Sequence, residues 1–349
     1  MSMNLGRYPS LKWYAFLSYM QRPRVGYSCG GPRRKGQAVP ASEKLIIQRI
    51  RRAAGSGLRG RSIGDDCAVL PIPRGHEALV TTDFSLEGVH FRREWHPPES
   101  IGHRCLTRGL SDIAAMGGLP RAAFLSLALP AELSQQWVDR FIAGLLKLAA
   151  RFSVPLAGGD TAQSPDAVLA DIVVLGSVPT GQGILRSGAC PGDILYVTGT
   201  LGSSSAALNQ LRYGEKLSPK SHPKHFHPEP RLAVGRFLRE RKLASAMIDI
   251  SDGLSTDLGH ICEESKTGAV VYAEAVPALP GTDGLTFALH GGDEYELLFT
   301  AHPNRRVPKQ IAGVPVTRIG EITRGRHMKL AWADGKTEIL KPGGWEHFA

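Results

Sequence analysis

The sequence predicts a layered protein of the α/β (α+β) class. Apolar strand-like runs alternate with amphipathic helical stretches from residue 43 onward. The chain has 349 residues, which fits about two domains of ordinary size. It is 42% hydrophobic and 21% charged, enough apolar surface for a sizeable core and too little charge for a disordered chain. Forty Gly and 24 Pro point to many turns.

A helical pattern begins at Ser42, with Leu45, Ile46 and Ile50 on one face. Ala78–Thr82 reads as a strand and Ser100–Met116 as a helix. Ala122–Leu129 is an apolar strand, and Ser134–Phe152 a helix with a Leu/Ile face. Val154–Ala157 is a short strand and Val168–Val178 a longer one. A second unit starts near Pro191. Its strands are Ile194–Thr198, Met247–Ile250, Ala269–Ala273, Glu296–Thr300 and Val316–Ile322. Its first helices are Ser203–Leu211 and Pro230–Arg241. Between them, Tyr213–Pro230 holds four prolines and three histidines and reads as a long loop.

The net charge is +10, which by itself raises a nucleic-acid partner. Its location weakens that reading. Residues 1–42 hold seven Lys or Arg and no Asp or Glu, so residues 43–349 carry only +3. The first 42 residues read as a basic, irregular extension. It fits an upstream-extended start of translation as well as a functional tail. Leu11–Met20 is apolar but short and aromatic-heavy, with no clear cleavage site after it. No window approaches a membrane span. Five dispersed cysteines without a C-x-x-C argue against a disulfide framework or a Cys-based zinc site and point to the reducing cytoplasm.

The informative feature is where the acids fall. Asp65 and Asp66 follow Ile63-Gly64, Asp83 ends a strand after Thr81-Thr82, and Asp160 follows Gly158-Gly159. Asp249 and Asp252 bracket Ile250-Ser251, and Asp293 and Glu294 follow Gly291-Gly292. Carboxylates delivered at strand ends beside small residues can converge on Mg²⁺, which takes oxygen ligands and substrate phosphates. Gly199-Thr200-Leu201-Gly202-Ser203, between a strand and a helix, fits a phosphate-binding turn. Together they suggest metal-assisted chemistry on a phosphorylated substrate. Each piece alone has a plainer reading. A Gly-Asp after a strand is usually a turn. Asp112, four residues after Arg108, is by default a surface ion pair. Asp252-Gly253 fits a helix N-cap region. No P-loop, protein-kinase or G-x-G-x-x-G signature is present.

These motifs resemble the thiamine-monophosphate kinases, members of the superfamily that includes aminoimidazole ribonucleotide synthetase. The matching stretches are Ile63–Leu70, Thr81–Asp83 with Glu87–Phe91, Leu110–Gly117, Gly158–Thr161, Val197–Gly202, Asp249–Leu254 and Gly291–Leu297, in the family's order. The resemblance covers residues 43–349. It implies an N-terminal ATP- and Mg²⁺-binding domain over 43–180 that dimerises through its sheet, and a C-terminal α/β domain over 181–349. It implies ATP-dependent phosphorylation of thiamine monophosphate by a cytoplasmic homodimer, with neither nucleic acid nor membrane as partner. Carried over, the Mg²⁺ ligands are Asp65, Asp66, Thr81, Thr82, Asp83, Asp112, Asp160, Asp249 and Asp252. ATP contacts are Gly159, Asp160, Arg186 and Ser251. Substrate contacts are His90, Asp293, Glu294 and Trp345. No covalent nucleophile is expected.

The chain departs from the family at three places. It reads Gly-Gly-Asp-Glu at 291–294 where the family has Gly-Gly-Glu-Asp, which leaves open which acid meets the substrate. Ile142 stands where an aromatic is common, which removes a nucleotide contact there. The 42-residue extension has no counterpart. Rival readings are another ATP-using member of the superfamily, a catalytically dead binder of thiamine phosphates and a nucleic-acid binder. Glu87–Phe91 argues against aminoimidazole ribonucleotide synthetase. The lack of a reactive Cys beside Lys early in the body argues against selenophosphate synthetase, and the His347-Phe348-Ala349 end against a hydrogenase-maturation relative.

Overall fold

Four strands, β1 (His76–Leu86), β2 (Leu119–Pro130), β3 (Leu156–Ser164) and β4 (Leu169–Pro179), form one sheet in the order β1-β4-β2-β3. The structure is a computed structural model describing residues 43–55, 70–281 and 283–347. The expectations for residues 1–42 and for Asp65 and Asp66 lie outside those residues. Side chains alternate across this sheet, so Thr81 and Asp83 share one face and Val80, Thr82 and Phe84 the other. Asp83 lies opposite Ile172, which lies opposite Leu125, and both are buried. The Asp83 face is therefore the covered one.

Helix α1 (Glu43–Ala54) comes first among the described residues. Helices α2 (Pro98–Ala115) and α3 (Gln135–Arg151) follow, and α2 packs on the covered face of the sheet. Proline in its first turn and Glu99 beside it favour the start of α2. Ser134 caps α3 by accepting from the Trp137 amide at 3.2 Å. The two helices touch backbone to backbone. A side chain on Gly102 would meet the Phe141 carbonyl at 2.0 Å, and one on Gly144 the Glu99 carbonyl at 2.0 Å. Ile142 packs into the core on α3.

The second sheet takes β5 (Ile194–Thr198), β6 (Ala246–Asp249), β7 (Gly268–Tyr272) and β8 (Leu297–Ala301). It adds β9 (Gln310–Ile311), β10 (Val314–Thr323), β11 (Met328–Ala331) and β12 (Thr337–Ile339). Its order is β12-β11-β7-β10-β5-β8-β6, with β9 beside β10. Two cores flank it, as alternation requires. Met247, Leu297 and Phe299 join the core built on α2 and α3. Ile248 and Leu298 join a second core with α7 (Leu254–Ser265). Helix α2 is thus buried between the two sheets, and this brings its polar side chains into a site.

Three boundaries differ from expectation. Strand β1 runs past Asp83 to Leu86, and β3 runs through Gly158, Gly159 and Asp160. Sheet pairing keeps this stretch in the ladder where local propensity reads a turn, with Gly159 at a φ of 148° that a side chain rarely adopts. The loop after α4 (Ser203–Arg212) contains a short helix, α5 (Pro223–Phe226), before α6 (Leu232–Glu240). This loop docks beside α2 through histidines. His103 Nε2 lies 2.8 Å from the Pro228 carbonyl, and His227 Nε2 3.1 Å from Ser100 Oγ.

Burial pushes His103 down from 6.5 to about 4. The folded state then binds fewer protons than the unfolded one. The associated stability is present above about pH 6.5 and is lost as the pH falls toward 4. His103→Gln keeps a donor for Pro228 but cannot charge. Between pH 7 and 4.5, wild type is expected to lose on the order of 2–3 kcal/mol more than this variant in urea unfolding. Equal losses would show that His103 does not carry the acid sensitivity.

Candidate active site

Helix α2 aligns Arg104, Arg108, Ser111 and Asp112 along one side by their three- and four-residue spacing. Strand β1 faces them with Thr81 and Asp83. Asp112 accepts a hydrogen bond from the Thr81 hydroxyl. Arg108 Nη1 lies 3.3 Å from Asp83 Oδ1. The Ser111 hydroxyl donates to Asp249 Oδ2 at 2.6 Å, at the end of β6. Three carboxylates thus reach one place from β1, α2 and β6. The default pairing of Arg108 with Asp112 is replaced, because Arg108 turns to Asp83 and Asp293.

Electrostatics confirm that these acids crowd one another. Burial, with Asp112 and Asp83 nearby, pushes Asp249 up to about 7. Burial also lifts Asp83 to about 6, against the pull of Arg108 and with Asp112 and Asp293 adding to the rise. Asp112 is raised, again by burial first. Each binds a proton more readily than a free carboxylate, so each gains from a cation. At the start of α7, Asp252, Asp257 and His260 offer ligand atoms within 4.8 Å of one another. Asp257 also caps that helix, accepting from the amides of Asp252 and Gly253 at 3.2 and 3.0 Å.

The segment before β8 interlocks with this corner. The Asp293 amide donates to the Ser251 carbonyl at 2.7 Å, and the Tyr295 amide to the Ile250 carbonyl at 2.8 Å. Asp293 and Tyr295 have φ of 59° and 53°, the left-handed region that non-glycine residues seldom adopt. This twist sends the two neighbouring acids in different directions. Asp293 faces α2, where Arg104 and Arg108 hold it at 2.7 and 3.0 Å. Burial opposes ionisation, but these two guanidiniums keep Asp293 well below the usual carboxylate range. Glu294 is buried the other way, accepting from the Ser204 amide at 2.9 Å at the start of α4. Burial lifts it to about 7. Its carboxyl therefore fills the helix start after Gly199–Ser203, where the spacing suggests a phosphate turn.

His90 accepts from the Leu86 amide at 3.0 Å through Nδ1, which leaves Nε2 carrying the proton. Burial and then Arg108 push it down to about 4, so it is neutral at pH 7. Its ring lies 5.5 Å from that of His347, which meets the Trp345 ring edge-on at 5.6 Å. The Trp345 amide donates to the Asp252 carbonyl at 3.0 Å. The C-terminal segment is thereby pinned beside the carboxylate corner, with Trp345 47% exposed.

The remaining predicted residues lie elsewhere on the sheet or its margin. Thr82 points to the other face of β1 and donates to Asp171 Oδ1 at 2.7 Å. Asp160 on β3 lies opposite Ser126, which lies opposite Asp171, so it shares that second face. Gly159 precedes it in β3. Arg186 is exposed, yet its charge reaches Asp112 and Asp249. Arg104, Arg108, Tyr295 and Asp257 were not expected in the site. The available signal was the four-residue spacing of Arg104, Arg108 and Asp112, which also describes a solvated helix face.

Residues 64–178 match the model for the AIR synthase related protein N-terminal domain, and residues 190–333 that for its C-terminal domain. The chain is an AIR synthase-related protein with both domains. It is 38% identical over 303 residues to the thiamine-monophosphate kinase of Salmonella typhimurium, covering 82% of this chain and 91% of the relative. It is 34% identical to that of Bacillus subtilis, covering 82% and 93%. The thiamine-monophosphate kinase structure from Stenotrophomonas maltophilia superposes with a TM-score of 0.74 at 35% identity, over 85% of this chain and 98% of that one. A structure described as AaThiL complexed with AMPPCP and TMP gives 0.71 at 30% identity, over 91% and 99%. The chain belongs to the thiamine-monophosphate kinase family and is a phosphotransferase. The hydrogenase maturation protein HypE, 20% identical with a TM-score of 0.73, shares the fold.

Proposed function

We propose that the chain transfers the γ-phosphoryl group of ATP to thiamine monophosphate by direct in-line attack, with Mg²⁺, giving thiamine diphosphate and ADP. The observation that carries the reading is the meeting of Asp83, Asp112 and Asp249 from β1, α2 and β6. The donors fit Mg²⁺: they are oxygens, and Asp249 is a carboxylate 3% exposed with an ion pair to no described residue. We assign Asp83, Asp112, Asp249 and Asp252, with Asp65, Asp66 and Thr81, to hold it, and Thr82 and Asp160, on the other face of the sheet, to a separate Mg²⁺. Bound there, Mg²⁺ supplies charge neutralisation between ATP, with about four negative charges, and a phosphate monoester with nearly two.

Gly159, Asp160, Arg186 and Ser251 are our nucleotide contacts, Arg186 adding a fixed cation. The acceptor phosphate is already anionic at pH 7, so no strong base is needed and no Asp acts as nucleophile. On the substrate side, neutral His90 presents an Nε2 donor, Trp345 an aromatic face for a cationic ring, and Asp293 a carboxylate. We take Asp293 as the acid nearest the substrate, because Glu294 already serves the start of α4. The halves 43–180 and 181–349 share the site between them. For the homodimer we take the open sheet face, where Val80 and Phe84 are 68% and 54% exposed. Among the described residues no helix is long and apolar enough to cross a membrane, and we place the enzyme in the cytoplasm.

The test is a panel of acceptors with ATP and Mg²⁺. Thiamine monophosphate is expected to be phosphorylated, while a nucleoside monophosphate and a sugar phosphate without a thiamine ring are not. Turnover of either of those in preference to thiamine monophosphate would reassign the chain.

A further inference from the structure

Arg108 sits where the two halves of the candidate site meet. Its Nη1 is 3.3 Å from Asp83 Oδ1 on β1, and its Nη2 is 3.0 Å from Asp293 Oδ1 on the segment before β8. Its side chain is only 9% exposed. Arg104, one helical turn earlier, takes the second Asp293 oxygen at 2.7 Å, and the Tyr295 hydroxyl donates to the first at 2.6 Å. Asp293 is therefore fixed by three donors, but only Arg108 also touches Asp83. A planar guanidinium has separate N–H edges and can hold two carboxylates at a set angle, whereas an ammonium is a point charge.

We propose that Arg108 is a positioning residue for phosphoryl transfer, a strut that sets the distance between the metal-holding Asp83 and the substrate-side Asp293. The inference rests on the thiamine-monophosphate reading above. Transfer between two bound phosphates depends on their alignment, and a displacement of about 1 Å can cost on the order of 100-fold in rate. Helix α2 carries the strut and also supplies Asp112, so one rigid element registers both halves. Arg104 has a narrower task. It touches Asp293 and the loop carbonyl of His225, and makes no ion pair with Asp83.

The experiment compares Arg108→Lys, Arg104→Lys and Asp293→Asn in the full chain, by steady-state kinetics and melting temperature. Wild type must first convert thiamine monophosphate. If it does not, the functional reading fails whatever Arg108 does. Arg108→Lys is expected to lower kcat on the order of 10- to 100-fold and to raise both the KM for thiamine monophosphate and the half-activating Mg²⁺ concentration about tenfold, with the ATP KM at saturating Mg²⁺ changed less than about twofold. Arg104→Lys is expected to raise the thiamine monophosphate KM while leaving Mg²⁺ activation within about twofold of wild type. Asp293→Asn, a milder change, must shift Mg²⁺ activation too, because Asn offers one uncharged acceptor oxygen to Arg104, Arg108 and Tyr295 and so weakens the strut. The proposal is overturned if Arg108→Lys lowers the melting temperature alone, with kcat, KM and Mg²⁺ activation all within about twofold of wild type, as a purely structural ion pair would. It is equally overturned if the two Lys variants shift the same parameters, or if Asp293→Asn moves KM alone.

Discussion

Replacing Asp249 by Asn is expected to lower turnover at least about 100-fold and to raise the melting temperature of the Mg²⁺-free protein. The opposite signs follow from one cause. Asp249 is 3% exposed and lies beside Asp112 and Asp83. Burial lifts its pKa to about 7. A carboxyl whose folded pKa exceeds its unfolded value destabilises the fold increasingly as pH rises between the two. Asn cannot ionise, and its carbonyl can still accept from Ser111, as Asp249 does at 2.6 Å. The relief is on the order of 1–3 kcal/mol near pH 8, several degrees of melting temperature. The same change removes a charge from the proposed cation site, which accounts for the lost turnover. The assay is kcat by ADP release, with thermal melts in chelator. A variant that melts lower without Mg²⁺, or that keeps near-normal turnover, would refute this account of Asp249.

The second large effect is on stability alone. Glu296 is 1% exposed and is held by Arg231, whose Nε lies 2.7 Å from Oε2. Thr198 donates to the same oxygen at 2.7 Å, and Lys224 Nζ stands 3.5 Å from the other. Gly199 lies so close that a side chain there would meet Glu296 Oε1 at 2.0 Å. Arg231→Met strips Glu296 of its main partner inside this packed pocket. Breaking such a buried pair costs about 3–5 kcal/mol. Arg231→Met/Glu296→Gln removes the stranded charge and is expected to recover more than half of that loss. Urea unfolding of both variants checks it. A single variant within about 1 kcal/mol of wild type would show that the pair is not structurally important.

Much of the architecture is legible in the sequence because it rests on local pattern. The alternation of strands and helices, the Leu/Ile face of α3 and the capping Ser134 are all short-range signals. Of the acids that converge, Asp83 and Asp249 are legible as punctuation at strand ends, whereas Asp112 reads by its spacing from Arg108 as a surface ion pair. What pattern does not give is which face a residue takes within a long strand. Thr81 and Thr82 read alike in sequence, but alternation sends one to Asp112 and the other to Asp171. Nor does pattern distinguish Asp293 from Glu294. Positive φ at residues 293 and 295 parts them, and that conformation comes from hydrogen bonds to Ile250 and Ser251, over 40 residues away in the chain. Arg104 and Arg108 were hidden for a related reason. On an isolated helix their spacing describes a solvated stripe, and only burial of α2 between two sheets turns it into a clamp. The histidines of the loop after α4 were visible as composition, while their docking against α2 is a tertiary fact.

The most direct test of the central claim is a product balance. Purified full-length protein is incubated with ATP, Mg²⁺ and thiamine monophosphate, and ADP and thiamine phosphates are separated and quantified over time. Equal amounts of ADP and thiamine diphosphate, both abolished by chelating Mg²⁺, are the predicted result. A folded protein that binds ATP but releases ADP without forming thiamine diphosphate at saturating substrate would contradict it.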